Sequence, residues 1–253
     1  MGKDMAASQW KSPMAVAYGA THVGRKRTNN EDSFAMRMDL GFCAVADGMG
    51  GAAAGETASR LFTEHAVEIF SHGSRHGEDD NEELVRNAFL RANQAIISHV
   101  DNYPLDAGMG CTGELLVIAD DNYVIGHVGD SRIYLFRDGE LMQLTHDHSI
   151  IQMQIDEGLL TREEAKTHPL RNVILRAVGA SEDLAVDVIR GIAYPNDVFL
   201  LCSDGLTSMV EDSDLKRILS LDEVFPGKVE RLIDEANSNG GLDNITVVLV
   251  QKT

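Results

Sequence analysis

The chain is 253 residues long and carries 40 Asp and Glu against 22 Lys and Arg, a net charge of −18. An acidic excess of that size repels a phosphate backbone, and no basic face is visible in the sequence, which excludes nucleic acid as a partner. With 43% hydrophobic and 25% charged residues the composition is that of a globular chain, which excludes a disordered or fibrous one.

Residues 1–13 read as an N-terminal tail, and 14–253 as one folded domain. The tail has Lys3, Asp4, Gln9, Trp10 and Lys11 scattered through it, so it lacks the apolar stretch of a signal peptide. No run approaches the ~20 apolar residues of a membrane span. A soluble, cytoplasmic monomer without a membrane partner is expected. Cys43, Cys111 and Cys202 stand far apart with no CxxC pair, so neither a disulfide framework nor a zinc site is expected.

In chain order, strand-like runs at 14–21, 33–38 and 41–46 come first, the last two joined by a turn at Asp39-Leu40. Two helices follow. Ala54, Ala58, Leu61, Phe62, Ala66, Ile69 and Phe70 recur at spacings of three and four, as do Val85, Phe89, Ala92, Ile96 and Val100. Between them, residues 72–81 contain no apolar side chain and read as a solvated loop. Strands at 113–119, 123–128, 132–136 and 140–144 are expected to form one antiparallel meander, apolar on both faces and therefore interior to a layered stack. Two short helices at 149–158 and 161–167, the second opened by the capping box Thr161 to Glu164, interrupt the strands. Strands at 186–193, 197–202 and 244–251 then alternate with helices near 212–220 and 229–237, Pro226 marking the start of the last.

Asp corners recur beside apolar strands: Asp47-Gly48, Gly129-Asp130-Ser131, Asp204-Gly205 and Asp243-Asn244. Taken singly, each is an ordinary turn. Converging carboxylates, however, repel one another in a low-dielectric cleft, and a cluster of four is stable chiefly around cations. Oxygen-only donors select hard ions such as Mg²⁺ or Mn²⁺.

Eight strings then stand in order: RTNNED (27–32), DGMGG (47–51), MGCT (109–112), GDSR (129–132), DHS (147–149), HPLRN (168–172), SDGL (203–206) and GGLDNIT (240–246). Through them the chain resembles the compact bacterial PP2C-type (PPM) metal-dependent protein serine/threonine phosphatases, over essentially its whole length. The resemblance implies an α+β, four-layer α-β-β-α sandwich of two antiparallel sheets flanked by helix pairs, with a small helical flap at about 149–172. It implies hydrolysis of phosphoserine and phosphothreonine in phosphoproteins, substrates of a Ser/Thr kinase, by a water or hydroxide activated between two Mn²⁺ or Mg²⁺ ions.

Asp47 and the Gly48 carbonyl, with Asp204 and Asp243, are implied as ligands of that metal pair, and Asp130 as ligand of a third, weaker ion. Glu31 and Asp32 match positions that hold metal-bound waters. Arg27 is the implied phosphate clamp, because its planar fork binds two phosphoryl oxygens at once. Arg171 and Asn172 are the flap residues expected to face the cleft. Met49 stands where some members have His, which leaves the general acid unassigned, and His22 where many bacterial members have Asp. His146 and His148 match no open zinc triad and read as structural or flap-positioning. Two rivals are an inactive PP2C-like interaction module and a nucleotide switch built on DGMGGAAAGE. The second lacks the GK[ST] of a phosphate-binding loop.

Overall fold

The computed structural model describes residues 5–11, 15–50, 54–73 and 78–253. In chain order the elements are β1 (Met5–Lys11), β2 (Ala15–His22), β3 (Asp32–Arg37), β4 (Phe42–Met49), α1 (Ala54–His72), α2 (Glu78–Asn102), β5 (Gly110–Cys111), β6 (Gly113–Ala119), β7 (Asn122–Val128), β8 (Arg132–Arg137), β9 (Glu140–Gln143), α3 (Ile150–Asp156), α4 (Arg162–Ala165), β10 (Asp187–Ile192), β11 (Val198–Cys202), α5 (Asp204–Thr207), α6 (Asp212–Leu219), α7 (Phe225–Ser238) and β12 (Ile245–Lys252). One sheet has the order β1-β2-β12-β11-β8-β9 and the other β10-β7-β6-β4-β3, with the short β5 pairing the end of β4; the pairings are antiparallel.

Three apolar layers hold these elements together, and the period-two geometry of strands explains how. Along β6, Leu115 and Val117 face α1 and α2, whereas Leu116 and Ile118 face the opposing sheet. In β12, Val247 and Leu249 pack against α6 and α7, while Val248 and Val250 join the inter-sheet layer. Runs such as GELLVIA and ITVVLV are therefore apolar throughout because both faces are covered. The helices supply one stripe each: Ala58, Phe62, Ala66 and Phe70 of α1 meet Val85, Phe89, Ala92 and Ile96 of α2 over the second sheet. The Phe62 and Phe89 rings sit edge to face with centroids 4.9 Å apart, and burying each such side chain contributes roughly 1.5–3 kcal/mol. The four-layer α-β-β-α architecture is thus as expected.

Three details differ from the sequence reading. Residues 5–11 are not tail: β1 pairs with β2 from Met5↔His22 to Lys11↔Val16, with Met5 and Ala7 packed on the core of the first sheet. Residues 1–4 and 12–14, including Met14 of the expected first strand, lie outside the described residues. The four-strand meander divides: β6 and β7 belong to the second sheet and β8 and β9 to the first, so Gly129-Asp130-Ser131 carries the chain across the sandwich. Alternation along each strand is the same whichever sheet it joins, so the pattern could not report the crossing. Finally, α2 begins at Glu78, inside the expected 72–81 loop; its apolar stripe starts only at Leu84 and Val85, so periodicity does not mark the first residues of the helix. Residues 74–77 of that loop, and Gly51 of the DGMGG string, are also outside the described residues.

Candidate active site

The carboxylate corners gather because of strand direction. Asp47 lies near the end of β4, opposite Asp32 on β3. Asp130 follows β7, Asp204 is the first residue of α5 after β11, and Asp243 directly precedes β12. These ends meet at one edge of the two sheets around a cleft of ≈ 470 Å³ lined by Arg27, Glu31, Asp47, Gly48, Met49, Thr112, Asp130, Asn172, Ile174, Asp204, Asp243 and Asn244, among others.

Hydrogen bonds fix the frame. The Asp47 N–H donates to Thr112 Oγ1 at 2.9 Å, its carbonyl accepts the Thr112 N–H at 2.9 Å, and Thr112 Oγ1 lies 2.8 Å from Ser131 Oγ. The Gly48 N–H donates to the Glu31 carbonyl at 3.1 Å. A Cβ at Gly48 would overlap the Gly55 carbonyl, which is why no larger residue fits between β4 and the start of α1. Asn244 anchors the Arg27-containing loop: its Nδ2 donates to the carbonyls of Val23 and Asn29, both at 2.9 Å, and its Oδ1 accepts the Glu31 N–H at 2.8 Å. Sequence reasoning missed Thr112 and Asn244 as site residues, although both lie inside the MGCT and GGLDNIT strings. In the sequence Asn244 is half of an Asp corner, and only the fold reveals the loop it holds.

Electrostatics in the cleft are dominated by mutual repulsion. Burial first, then the charges of Asp32, Asp204, Asp130 and Asp243, push Asp47 well above the usual carboxylate range. Asp130 is pushed up to about 8 by burial and by Asp204 and Asp147. Burial also raises Asp32, to about 7, against the opposing effect of hydrogen bonds from Thr246 and Ser203. Asp204 is raised by burial and by Asp243. Asp32 Oδ2 accepts from Thr246 Oγ1 at 2.6 Å and from Ser203 Oγ at 2.7 Å, yet its buried Oδ1 has no partner. An unpaired buried carboxylate oxygen is costly, and here it points to a donor such as an ordered water. Among the described residues no three Asp, Glu, His or Cys side chains are drawn into a ready-made metal cluster; Asp243 Oδ2 accepts from Arg27 Nη2 at 2.7 Å. The donor set is all oxygen, acidic and partly orphaned, which fits hard divalent cations.

Other expected residues fall into place less uniformly. Arg27 lines the cleft half-exposed, at 49%. Arg132 is committed to Asp147 of the DHS string, Nε to Oδ1 at 2.9 Å and Nη2 to Oδ2 at 2.7 Å. On the flap, Asn172 and Ile174 line the cleft, whereas Arg171 is exposed and is not among the lining residues, contrary to the expectation that it faces inward. Its place is set by the turn in which the Arg171 N–H donates to the His168 carbonyl at 3.2 Å. His22 is used locally, its Nδ1 accepting the Gly24 N–H at 2.8 Å. His146 Nε2 lies 2.7 Å from Asp156 Oδ2 on α3. Burial pushes the thiols of Cys43, Cys111 and Cys202 up, so none is a poised nucleophile.

Residues 18–237 match the Protein phosphatase 2C family, and the chain belongs to that family. It is 39% identical over 236 residues to "Protein phosphatase PhpP" of Streptococcus pneumoniae, covering 91% of this chain and 94% of that one. Its fold is similar to the crystal structure of the Mycobacterium tuberculosis serine/threonine phosphatase PstP/Ppp, with a TM-score of 0.85, 37% identity and coverage of 94% and 98%. It is likewise similar to the catalytic domain of PstP in complex with two manganese ions, at a TM-score of 0.84, 35% identity and coverage of 95% and 99%. The chain is therefore a protein phosphatase by class. Among the described residues, no helix is long and apolar enough to cross a membrane.

Proposed function

We propose that this chain hydrolyses phosphoserine and phosphothreonine in proteins phosphorylated by a Ser/Thr kinase, and that it does so with Mn²⁺ or Mg²⁺ held in the carboxylate cleft. The observation that carries this reading is the gathering of Asp47, Asp130, Asp204 and Asp243 around one cleft that Arg27 also lines. Asp47, the Gly48 carbonyl, Asp204 and Asp243 would hold a metal pair, Asp130 a third and weaker ion, and Glu31 and Asp32 the ordered water around them. Such ions supply an activated water and neutralise charge on the phosphoryl group.

The chain's own residues supply the rest. Arg27 binds the phosphoryl oxygens: its contact with Asp243 engages Nη2, and a guanidinium fork has further donors for two oxygens of a tetrahedral anion. Asn244 and Thr112 keep the Arg27 loop and Asp47 in register, so that clamp and carboxylates face the same volume. Attack by water, without a phosphoenzyme, accords with three cysteines that are all buried. Relatives named as serine/threonine phosphatases, and one solved with two manganese ions, support the substrate class and the metal.

Exhaustive chelation is expected to remove hydrolysis of a phosphothreonine peptide, and added Mn²⁺ to restore it, while a phosphotyrosine peptide of the same sequence stays a poor substrate. Full activity in the chelated protein would overturn the reading. The flap gives a second test. Asn172→Ala is expected to change relative rates among phosphopeptides by about 3–10-fold and to leave hydrolysis of p-nitrophenyl phosphate within about twofold, since remote contacts act only on substrates long enough to make them. Equal effects on both substrates would reduce Asn172 to a structural role.

A further inference from the structure

His148 stands where two parts of the site meet. Its ring Nδ1 accepts the Gly129 N–H at 3.1 Å, and its backbone N–H donates to the Gly129 carbonyl at 2.7 Å. Gly129, at φ +113°, is the residue before Asp130, and a Cβ there would run into Thr112, the partner of Asp47. On the other side, the His148 carbonyl accepts the Leu175 N–H at 2.6 Å, closing the limb by which the flap returns past Asn172 and Ile174. Residue 148 therefore joins the turn that carries Asp130 to the limb that presents Asn172, next to the Ser149–Ile174 bridge and the bond from the Ile150 N–H to the Val173 carbonyl.

The ring is held from every side. Because Nδ1 accepts from an N–H, the proton of the neutral ring belongs on Nε2, which lies 3.1 Å from Asp187 Oδ2 on β10 and 3.2 Å from Arg176 Nη1. Arg176 Nη1 in turn donates to Asp187 Oδ1 at 3.0 Å. The His127 ring packs against His148 at a centroid distance of 4.5 Å, and His127 is itself fixed by Glu114 Oε1 at 2.5 Å and the His146 carbonyl at 2.8 Å. His148 is 7% exposed and Asp187 is at the surface. The phosphatase chemistry described above uses none of Glu114, His127, His148 or Asp187, yet these groups form a continuous polar string from the interior to β10.

We propose that His148 is a positioning residue that sets the Asp130 turn and the flap's return limb as one unit, with Asp187 orienting its ring. The kinetic part of this proposal rests on the function proposed above, whereas its structural part does not. Two substitutions separate the ring's two nitrogens. In His148→Asn the side-chain oxygen stands near Nδ1 and keeps an acceptor for the Gly129 N–H, while in His148→Gln the amide reaches toward Asp187 and abandons Gly129.

In the Mn²⁺-loaded full chain, His148→Gln is expected to lower phosphopeptide kcat by about 10-fold or more and to raise the Mn²⁺ concentration for half-maximal activity, and His148→Asn to stay within about threefold of the parent. In the metal-free chain, amide hydrogen exchange at Gly129 is expected to quicken by about 10-fold or more in His148→Gln alone. Equal behaviour of the two variants in exchange, or unchanged exchange in both, would overturn the proposal. Should His148→Gln fail to fold, Asp187→Ala provides the measurement: faster exchange at Gly129 is expected, and an unchanged rate would overturn the orienting role. If the parent chain releases no phosphate, the proposed function fails, and the exchange comparison still decides the role of His148.

Discussion

Asp47→Asn is expected to abolish turnover while raising the melting temperature of the metal-free protein. The partly buried Asp47 carboxylate faces the charges of Asp32, Asp204, Asp130 and Asp243, so an isosteric amide relieves repulsion at the same time as it removes an oxygen proposed to bind metal. A loss of kcat on the order of 10³-fold is anticipated, together with a gain of about 1 kcal/mol, or roughly 2–4 °C in a chain of this size. The sign of the pH dependence follows from the raised carboxylates. A group whose pKa is higher folded than unfolded binds more protons in the native state, so its contribution to stability falls as pH rises between the two values. For Asp130 that interval runs from the ordinary 3.8 to about 8, and for Asp32 from 3.8 to about 7. The stability gap between Asp47→Asn and the parent is accordingly expected to widen from pH 5 to pH 8 in chelated protein, measured by thermal unfolding. A gap that narrows over this interval would show that the carboxylates do not repel one another as described.

Arg27→Ala is expected to lower kcat/KM for a phosphothreonine peptide by about 10²-fold, with contributions from both KM and kcat, because the proposed clamp has the guanidinium contact phosphate in the ground state and in the transition state. Arg27→Lys keeps the charge and loses the fork, and is expected to fall between the two by roughly a factor of ten from each. Arg132 does not substitute, being bound through two donors to Asp147. Parent-like kinetics in Arg27→Lys would show that charge alone suffices and that the bidentate clamp is wrong.

Much of this was legible in the sequence for identifiable reasons. Buried strands announce themselves by apolar runs too long for one-sided burial, as in ITVVLV, and the stripes of α1 and α2 by spacings of three and four. The capping box at Thr161 is present as read, with both reciprocal bonds made to Glu164. Asp47, Asp130, Asp204 and Asp243 stood out as repeated corners, but that they face one another depends on which sheet each strand joins, and strand alternation carries no such information. The division of the β6 to β9 meander shows this most plainly: Gly129-Asp130-Ser131 reads as an ordinary turn within the meander and is instead a crossing between sheets, which is what brings Asp130 to the cleft. Polar networks were harder still. Glu114 and His127 lie within apolar strands at 0% exposure and pair with each other as directly opposite residues of the β6–β7 hairpin, so their pairing follows from the register and nothing local to either residue names it. The same holds for Asn244, whose three bonds reach back to a loop more than two hundred residues earlier.

The most direct test of the account is the number of Mn²⁺ ions bound by the chelated, intact chain, measured by calorimetry in parallel with phosphothreonine-peptide turnover on the same preparation. Two tightly bound ions are expected, with loading that parallels the return of activity, both weakened in Asp47→Asn, and a third, weaker site removed by Asp130→Ala with the tight pair retained. Hydrolysis at the parent rate with no ion bound, or tight binding of two ions unaffected by Asp47→Asn, would contradict it.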